Sequence, residues 1–182
     1  INQLLTTLAG RLLYTNGKFK LLGGEYRSPS GTITEDQMVG GISISTRPPS
    51  NAIFNSVKGF YTERNTDFVA RDYKPYVSTT YISDDNNRTN FIDLPLRFTT
   101  NQKQAQELAR IALERSRMFQ TVRVSCNMSA MKYQVGDVVR LTYDRASISS
   151  AIYEIIDYNI NIGEAVTVDL VLQEFSSDLY PV

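Results

Sequence analysis

A run of acidic and amide side chains at residues 84–87 comes nearest to a cation-binding loop in this sequence. Its two aspartates and two asparagines offer oxygen ligands of the kind that Ca²⁺ prefers. A calcium-binding EF-hand loop also needs a glycine and a bidentate glutamate at fixed positions, where this sequence has Asn90 and Leu96. The mismatch favours a solvated turn, so no metal site is predicted.

Glu35 and Asp36 are adjacent carboxylates, the residue type that supplies the acid and the base of many glycoside hydrolases. Their neighbours Thr34 and Gln37 fit a capping box, in which side chains bond the free N–H groups at the start of a helix. Solvated charges at a single helical turn are therefore the favoured interpretation.

Histidine is absent from the sequence, which removes the usual general base, the usual partner of a nucleophilic serine or cysteine, and the commonest metal ligand. Cys126 is the only cysteine, so an internal disulfide and a multi-cysteine zinc site are excluded. Its alternating position indicates a small core residue. We predict no catalytic, cofactor-binding or metal-binding residues and no cofactor, and we expect that the protein is not an enzyme.

Glycine pairs, arginines and tyrosines could bind phosphates, DNA or sugars, but each has a structural interpretation. The glycines at residues 23–24 and 40–41 lack the spacing of a phosphate-binding loop and indicate turns. Three arginines of one helical segment are interleaved with glutamates, which favours a solvated helix face over a DNA-binding one. These arginines are Arg110, Arg115 and Arg117. The tyrosines in strand-like segments, interpreted as packing residues, are Tyr14, Tyr81, Tyr153 and Tyr158.

The charge and hydropathy of the chain argue against some classes of partner. Lysine plus arginine and aspartate plus glutamate number 19 each, so the net charge lacks the footprint of a nucleic-acid binder. No run approaches the roughly 18 apolar residues of a membrane helix. We predict no specific nucleic-acid binding and no membrane segment. The chain opens at Ile1 without methionine, which we interpret as a fragment of a longer protein.

An amphipathic helix over about residues 100–119 is the clearest predicted element. Thr99 and Gln102 fit a capping box that would begin it. A narrow stripe of apolar and small side chains follows at three- and four-residue steps, which indicates close packing on a sheet. This stripe consists of Ala105, Leu108, Ala109, Ala112, Ser116 and Phe119. The pairs spaced for weak ion pairs are Glu107 with Arg110 and Glu114 with Arg117.

Alternating apolar and polar residues replace the helical period after residue 120 and predict strands. The first strand covers residues 122–126, and a turn at residues 134–137 is predicted to fold the chain back into a hairpin partner over residues 138–143. Two further strands, over residues 153–160 and 166–172, are predicted to be joined at residues 161–164.

The first half of the chain combines short elements. A short helix begins at Ile1 and ends near Gly10, and Asn16 with Gly17 forms the strongest short-range hairpin signal. Pro48 interrupts a strand that is predicted to run up to Arg47. The remaining extended segments are predicted at residues 11–14, 18–22, 42–47, 54–61, 77–81 and 91–96, with Gly59 at a bulge.

Together these elements predict an α+β fold that is mainly antiparallel β, with sheets of a barrel-like kind. One main amphipathic helix packs on the sheet, and a short helix stands at the N-terminus. The chain is long enough for two lobes packed together, residues 1–94 and 95–182.

Short segments spread over nearly the whole chain stand in a specific order and spacing. They are residues 12–18, 34–36, 40–42, 54–59, 93–96, 104–109, 135–139 and 170–174, followed by Tyr180. In this order they resemble the phage tail tip attachment protein J family, also called host-specificity proteins, and the related hub modules of tail baseplates.

The resemblance implies a structural protein of the virion, in the tail tip or baseplate hub of a phage or prophage. Similar proteins form a three-fold ring, which implies a homotrimer that binds other tail proteins and takes part in tail assembly and host attachment. A host surface receptor would be bound through other parts of the chain, and assembly would take place in the bacterial host cytoplasm. No catalytic residue is carried over. The alternative is a carbohydrate- or receptor-binding module that uses exposed aromatic side chains.

Overall fold

The computed structural model describes residues 1–15, 17–46, 53–163 and 165–180. The predicted α+β fold with mainly antiparallel strands is confirmed. Its helices are α1 (Asn2–Thr7), α2 (Thr79–Asp84) and α3 (Gln102–Arg117). Its strands are β1 (Arg11–Thr15), β2 (Lys18–Leu22), β3 (Gly31–Ile33), β4 (Ser43–Ser45), β5 (Ser56–Lys58), β6 (Phe60–Glu63), β7 (Val69–Asp72), β8 (Tyr76–Val77), β9 (Phe91–Asp93), β10 (Thr121–Cys126), β11 (Val138–Tyr143), β12 (Ile148–Ile162) and β13 (Val166–Glu174).

Some predicted features lie outside the described residues. They are the first residue of the Asn16 turn, the end of a strand at Arg47, its interruption at Pro48, and the last turn residue, Glu164. On the described side of the first turn, Gly17 has a φ of +74°, as a tight hairpin turn requires. β1 and β2 pair with each other around it, as predicted.

The chain forms two compact units. Unit 1 comprises Ile1–Leu12, Leu21–Gly24 and Pro49–Arg117, and unit 2 comprises Leu13–Lys20, Glu25–Pro48 and Met118–Val182. This division differs from the predicted lobes 1–94 and 95–182. The difference arises because α3 packs with strands that precede it in the chain, which places the helix in unit 1.

A six-stranded sheet forms the body of unit 2. Its strand order is β3-β11-β12-β13-β10-β4, and all neighbours are antiparallel except β3 and β11. A cluster of buried apolar side chains lies on this sheet, and removing their surface from water stabilises the unit. Its fully covered members include Val122, Leu141, Ile155, Leu170 and Leu172.

Alternation along β10 correctly predicts which side chains point inward. Val122, Val124 and Cys126 are buried, whereas Arg123 is exposed. The predicted hairpin between β10 and β11 is wrong, because β10 pairs with β13 and β4 while β11 pairs with β12 and β3. Alternation identifies the buried face of a strand, but it leaves the neighbouring strand undetermined.

The thiol of Cys126 is fully buried, and burial, followed by the nearby charge of Asp169, raises its pKa to about 11. At pH 8 only about one thiol in a thousand would be ionised at that pKa. We expect the folded protein to react with a disulfide reagent at least about a hundredfold more slowly than the urea-unfolded protein. Absorbance of the released thiolate measures both rates, and equal rates would contradict the buried position.

In unit 1, α3 packs against two small sheets. β8, β5 and β9 form a three-stranded sheet, and β6 pairs with β7 in a two-stranded one. The helix contacts β5, β6 and β8, and its small residues Ala105 and Ala109 are fully covered. The predicted close packing of an alanine-rich stripe on a sheet is therefore confirmed.

The start of α3 differs from the prediction. Asn101, and not Thr99, supplies the side-chain cap, because its Oδ1 accepts a hydrogen bond from the backbone N–H of Lys103 at 2.9 Å. Thr99 is buried, and its backbone carbonyl accepts a hydrogen bond from the N–H of Thr62. Asparagine is as good a capping residue as threonine, so the sequence alone did not decide between them.

α1 ends one residue earlier than Gly10 suggested. Ala9 takes the left-handed conformation with a φ of +47°, and its N–H bonds to the carbonyl of Thr6. The N–H of Gly10 bonds to the carbonyl of Leu5, which completes a Schellman motif. A Cβ at Gly10 would lie 2.5 Å from the carbonyl oxygen of Leu22. Glycine at this position therefore allows the backbone of Leu22 to come close to the end of α1.

The strand predicted over residues 77–81 is wrong. Only Tyr76–Val77 is extended, and α2 begins after Ser78, whose hydroxyl accepts from the N–H of Tyr81. The serine cap outweighs the short alternating pattern. Residues 62–75, for which the sequence predicts no strand, contain the turn and second strand of the β6–β7 hairpin, with Asp67 and Phe68 at positive φ.

Candidate interaction surface

The acidic run at residues 84–87 forms a turn, as predicted, with Asn86 and Asn87 both at a φ of +58°. Asp85, however, is not a solvated carboxylate. Both of its oxygens accept hydrogen bonds from the guanidinium of Arg117, and Asn55 donates a further one at 2.9 Å. The hydrogen bonds from Arg117 are the main reason why the pKa of Asp85 lies below its ordinary value. Among the described residues no acidic or sulfur cluster could hold a metal ion.

Arg117 lies at the centre of a structural cluster in unit 1. Its guanidinium also donates to the carbonyl oxygen of Phe54 at 2.8 and 3.1 Å and stands 4.6 Å from the ring centroid of Tyr81. The Tyr81 hydroxyl donates to Glu114 at 2.5 Å, and burial together with that bond raises its pKa to about 12. The arginine therefore fixes the end of α3 instead of facing solvent or DNA.

The two predicted ion pairs on α3 have different outcomes. Arg110 pairs with Glu107 at 2.9 Å, as predicted. The pair of Glu114 with Arg117 is wrong, because Glu114 accepts from Tyr81 and Arg117 pairs with Asp85. For both side chains, a partner from outside α3 replaces the one that the spacing along the helix predicts.

Glu35 and Asp36 lie in a 3₁₀ turn, Glu35–Gln37, and do not form an acid and base pair. Glu35 bonds to Arg145 at 2.8 Å, and Asp36 accepts from the Thr34 hydroxyl. The predicted capping box is wrong, because the Thr34 side chain makes no hydrogen bond to the backbone of the turn. The glycines at residues 23–24 and 40–41 lie between helices and strands, as predicted.

The four singled-out tyrosines separate into packed and exposed ones. Tyr153 is buried, and Tyr158 packs against the core of unit 2, as predicted. Tyr81 lies in α2 and not in a strand. The packing interpretation is wrong for Tyr14, whose side chain is 67% exposed at the tip of the β1–β2 hairpin.

Unit 2 contains a two-stranded arm, formed by residues 157–162 of β12 and 166–171 of β13. These residues pair antiparallel along its whole length, from Asp157 opposite Val171 to Ile162 opposite Val166. The predicted strand pair is therefore confirmed, and it is longer than predicted. Apolar side chains continue along its inner face, where Ile160 and Ile162 are 38% and 84% exposed.

The arm has an outer edge without a strand partner in the described part of the chain. β11 pairs with β12 between Glu154 and Ile148, and two further hydrogen bonds join Ile155 to Gly136 and Asp137. Beyond Ile155 the described residues offer no further strand on that side. An edge of this kind presents backbone N–H and C=O groups that another strand can pair with.

The sequence contained a signal for this surface. From Asp157 to Ile162 polar and apolar residues alternate without interruption, as along a strand. The same pattern could not show that the apolar side chains would remain exposed, because their cover depends on strands from distant parts of the chain. Sequence reasoning therefore found the strand but missed the interaction surface.

None of the helices in the described part of the chain combines the length and the apolar character that crossing a membrane requires.

The fold and this surface define the chain as an α+β module with a two-stranded arm whose outer edge has no strand partner among the described residues. A family model described as "Putative phage tail protein" matches residues 1–156. The chain therefore belongs to this family of phage tail proteins. The description is general to phage tails and does not specify the tail tip attachment protein J. No curated protein matches the sequence.

Solved structures of virion and tail proteins share the fold. A chain of "Virion of native gene transfer agent (GTA) particle" is similar with a TM-score of 0.76 at 18% identity, over 98% of this chain and 39% of that chain. The tail protein from Neisseria meningitidis MC58 gives a TM-score of 0.63 at 16% identity, over 96% of this chain and 55% of that one. The 43 kDa tail protein of prophage MuSo2 from Shewanella oneidensis gives 0.57 at 8%, over 94% and 50%. This chain thus spans between 39% and 55% of those proteins.

Proposed function

We propose that this chain is a structural module of the hub at the tail tip or baseplate of a phage or prophage, and that copies of it assemble as a homotrimer. The observation that carries the proposal is the outer edge of β12 from Ile155 to Ile162, along which the described residues place no further strand. Monomeric proteins cover or shorten such edges, whereas assembling proteins can pair them between subunits.

The comparisons support this proposal through the fold. A fold similar to a chain of a gene transfer agent virion and to two tail proteins suits a part that is built into a particle. We further propose that the chain is part of a longer hub protein of the tail tip attachment protein J kind. Its modules correspond better to the two compact units than to the predicted lobes 1–94 and 95–182.

The role that follows is mechanical and needs no chemical step. A hub module holds neighbouring subunits in a closed arrangement and moves with them when a distant receptor contact changes the arrangement. We propose a location in the virion at the tail tip, contacts with other tail proteins, assembly in the bacterial host cytoplasm, and host attachment through other parts of the longer protein. Catalysis has no part in this role.

The oligomeric state of the full-length protein tests the proposal. Light scattering during size-exclusion chromatography is expected to give three times the mass of one chain at micromolar concentration, since a cyclic arrangement closes with identical contacts. A protein that remains monomeric up to about 100 µM would contradict the proposed hub, because tail assembly would then have no self-association to build on.

Carbohydrate binding is the second candidate function, and one cavity favours it. In unit 1 a cavity of about 600 Å³ is lined by Phe60, the carboxylates of Asp72 and Asp93, and Lys58, an aromatic ring with polar groups of the kind that hold a sugar. A glycan-binding screen distinguishes the two functions. A monomeric protein with a specific sugar ligand would favour this candidate, whereas a trimer without one favours the hub.

A further inference from the structure

The tip of the β1–β2 hairpin, which belongs to unit 2, exposes an aromatic pair on one face. Tyr14 and Phe19 lie with ring centroids 5.0 Å apart, and Phe19 is 74% exposed. Because side chains alternate along a strand, the neighbours of Phe19 in β2, Lys18 and Lys20, lie on the opposite face. Residues 1–24 contain basic residues and no acidic ones. One face of the hairpin tip is thus aromatic and the other is basic.

The arm of unit 2 has two contrasting faces of the same kind. Ile160 and Ile162 lie on its apolar face. Asp157 lies on the opposite face together with Asp169 of β13, which is paired with Asn159 of β12. Residues 146–182 contain acidic residues and no lysine or arginine. The charge of the arm therefore complements that of the hairpin tip.

We propose that β2 of one copy pairs with the outer edge of β12 in a neighbouring copy and so continues the six-stranded sheet across the subunit boundary. This inference rests on the proposed assembly of identical copies and identifies the two surfaces that meet. Adding a strand at an edge places side chains of the same face next to each other. The aromatic face of the hairpin then adjoins Ile160 and Ile162, and its basic face adjoins Asp157.

Among the described residues of one chain, β2 pairs with β1 alone, so the proposed contact joins different copies. Tyr14, Phe19, Ile160 and Ile162 all belong to unit 2, and all four are exposed there. Lys20 already pairs with Asp137 of its own chain at 3.6 Å, which leaves the exposed Lys18 to approach Asp157 of the neighbour. Because the hairpin and the arm are different surfaces, the contact is head to tail and generates a ring when the rotation closes.

Cysteine cross-linking in the full-length protein tests this contact, since the native cysteine of this chain is buried. Phe19→Cys and Ile160→Cys variants are coexpressed and oxidised, and we expect a covalent dimer on non-reducing gels. The variant carrying both substitutions should give covalently closed trimers. Each single variant expressed alone should give no cross-link. A matched control pairs Phe19→Cys with Met128→Cys, an exposed position outside the arm, and should also give none.

The outcomes separate this inference from the proposed function. A trimer by light scattering without the Phe19–Ile160 cross-link would overturn the hairpin and arm contact and leave the hub proposal standing. A monomer would overturn both. A cross-link with Met128 as strong as that with Ile160 would show unspecific collision and would also overturn the contact.

Charge exchange provides a second measurement that needs no cross-link. Lys18→Glu and Asp157→Lys are each expected to weaken trimer formation about tenfold, since charges at an interface rim steer and select partners. The two substitutions together should restore it to within about threefold of the native protein, because the pair is reversed and kept. Lys103→Glu, with the same charge change on the exposed side of α3, should have no effect. Failure of the double variant to recover would contradict the proposed pairing.

Discussion

Replacing Arg117 with alanine is expected to lower the free energy of unfolding by about 3 kcal/mol, because one partner of a largely buried ion pair is removed. The side chains of Arg117 and Asp85 are only 14% and 23% exposed. The substitution leaves Asp85 with the hydrogen bond from Asn55, and it removes two hydrogen bonds from the Phe54 carbonyl. Urea unfolding of the 182-residue chain, followed by far-UV circular dichroism, measures the loss.

The dependence of this loss on pH tests its electrostatic origin. Arg117 holds the pKa of Asp85 below the ordinary value of 3.8, so the pair stabilises the fold at pH values above the unfolded pKa. That contribution disappears as the pH falls through the folded pKa. The difference in stability between the native chain and Arg117→Ala should therefore be largest near neutral pH and should narrow below about pH 4.

Two control variants separate the ion pair from general effects on the helix. Lys103→Ala removes a positive charge from the exposed side of the same helix and should change the stability by less than about 0.5 kcal/mol. Arg117→Lys keeps the charge but loses the forked donor geometry, so an intermediate loss is expected. If Arg117→Ala destabilised the chain no more than Lys103→Ala, the cluster would have no structural role.

The cluster also shows where sequence reasoning reached its limit. The spacing of Glu114 and Arg117 satisfied the rule for pairs on one helix, and the run at residues 84–87 satisfied the rule for a solvated turn. Asp85 and Arg117 are far apart in sequence and meet only because α2 and α3 belong to the same unit. Local spacing contains no information on such a contact, so both local rules gave the wrong partners.

Regular periods were the reliable part of the prediction. The alternation in β10 and β13 identified the buried face of each strand, because burial of one face requires that period. The predicted stripe of α3 is right for Ala105, Leu108 and Ala109, but it omits two buried residues, Ile111 and Leu113, and its other members are only half-buried. The pairing of β10 with β13 and β4 could not be derived, because any strand with a similar apolar face could lie next to β10 in the sheet. At α2 the alternating pattern of residues 77–81 favoured a strand, whereas the Ser78 cap favoured a helix, and the helix forms.

The interaction surface could be predicted only in part for the same reason. The alternating residues 157–162 and the hairpin around Gly17 were both recognised as strands. Two features of the surface could not be predicted: Tyr14 and Phe19 are exposed, and β11 pairs with β12 no further than Ile155. Both depend on the lengths of strands elsewhere in the chain. The sequence itself shows that the first 24 residues carry only basic charges and that residues 146–182 carry only acidic ones. The topology was needed to show that charges from these two segments lie on β2 and on the arm.

Gly59 separates β5 from β6, where sequence reasoning expected a bulge within one strand. The two strands belong to different sheets, and the backbone of Leu94 passes so close that only glycine leaves room for it. Leu94 donates its N–H to the carbonyl of Lys58 at 2.7 Å, and its own carbonyl accepts from the Tyr73 hydroxyl at 3.1 Å. The approach therefore extends the pairing of β5 with β9 past the end of both strands.

Replacing Gly59 with alanine is expected to destabilise the chain by about 3 kcal/mol, because the new Cβ overpacks a site that backbone atoms border. An ideal Cβ would lie 2.2 Å from the carbonyl oxygen of Leu94 and 2.7 Å from its carbonyl carbon, and backbone atoms cannot rotate away as a side chain can. Gly23→Ala is the matched control, since no atom lies within 4 Å of its Cβ, and it should leave stability within about 0.5 kcal/mol or raise it slightly by restricting the unfolded chain. Urea midpoints of the two variants decide the matter. Equal stability of the two variants would mean that the Leu94 backbone can shift without a loss of free energy. The close contact beside Gly59 would then not contribute to the stability of the two sheets.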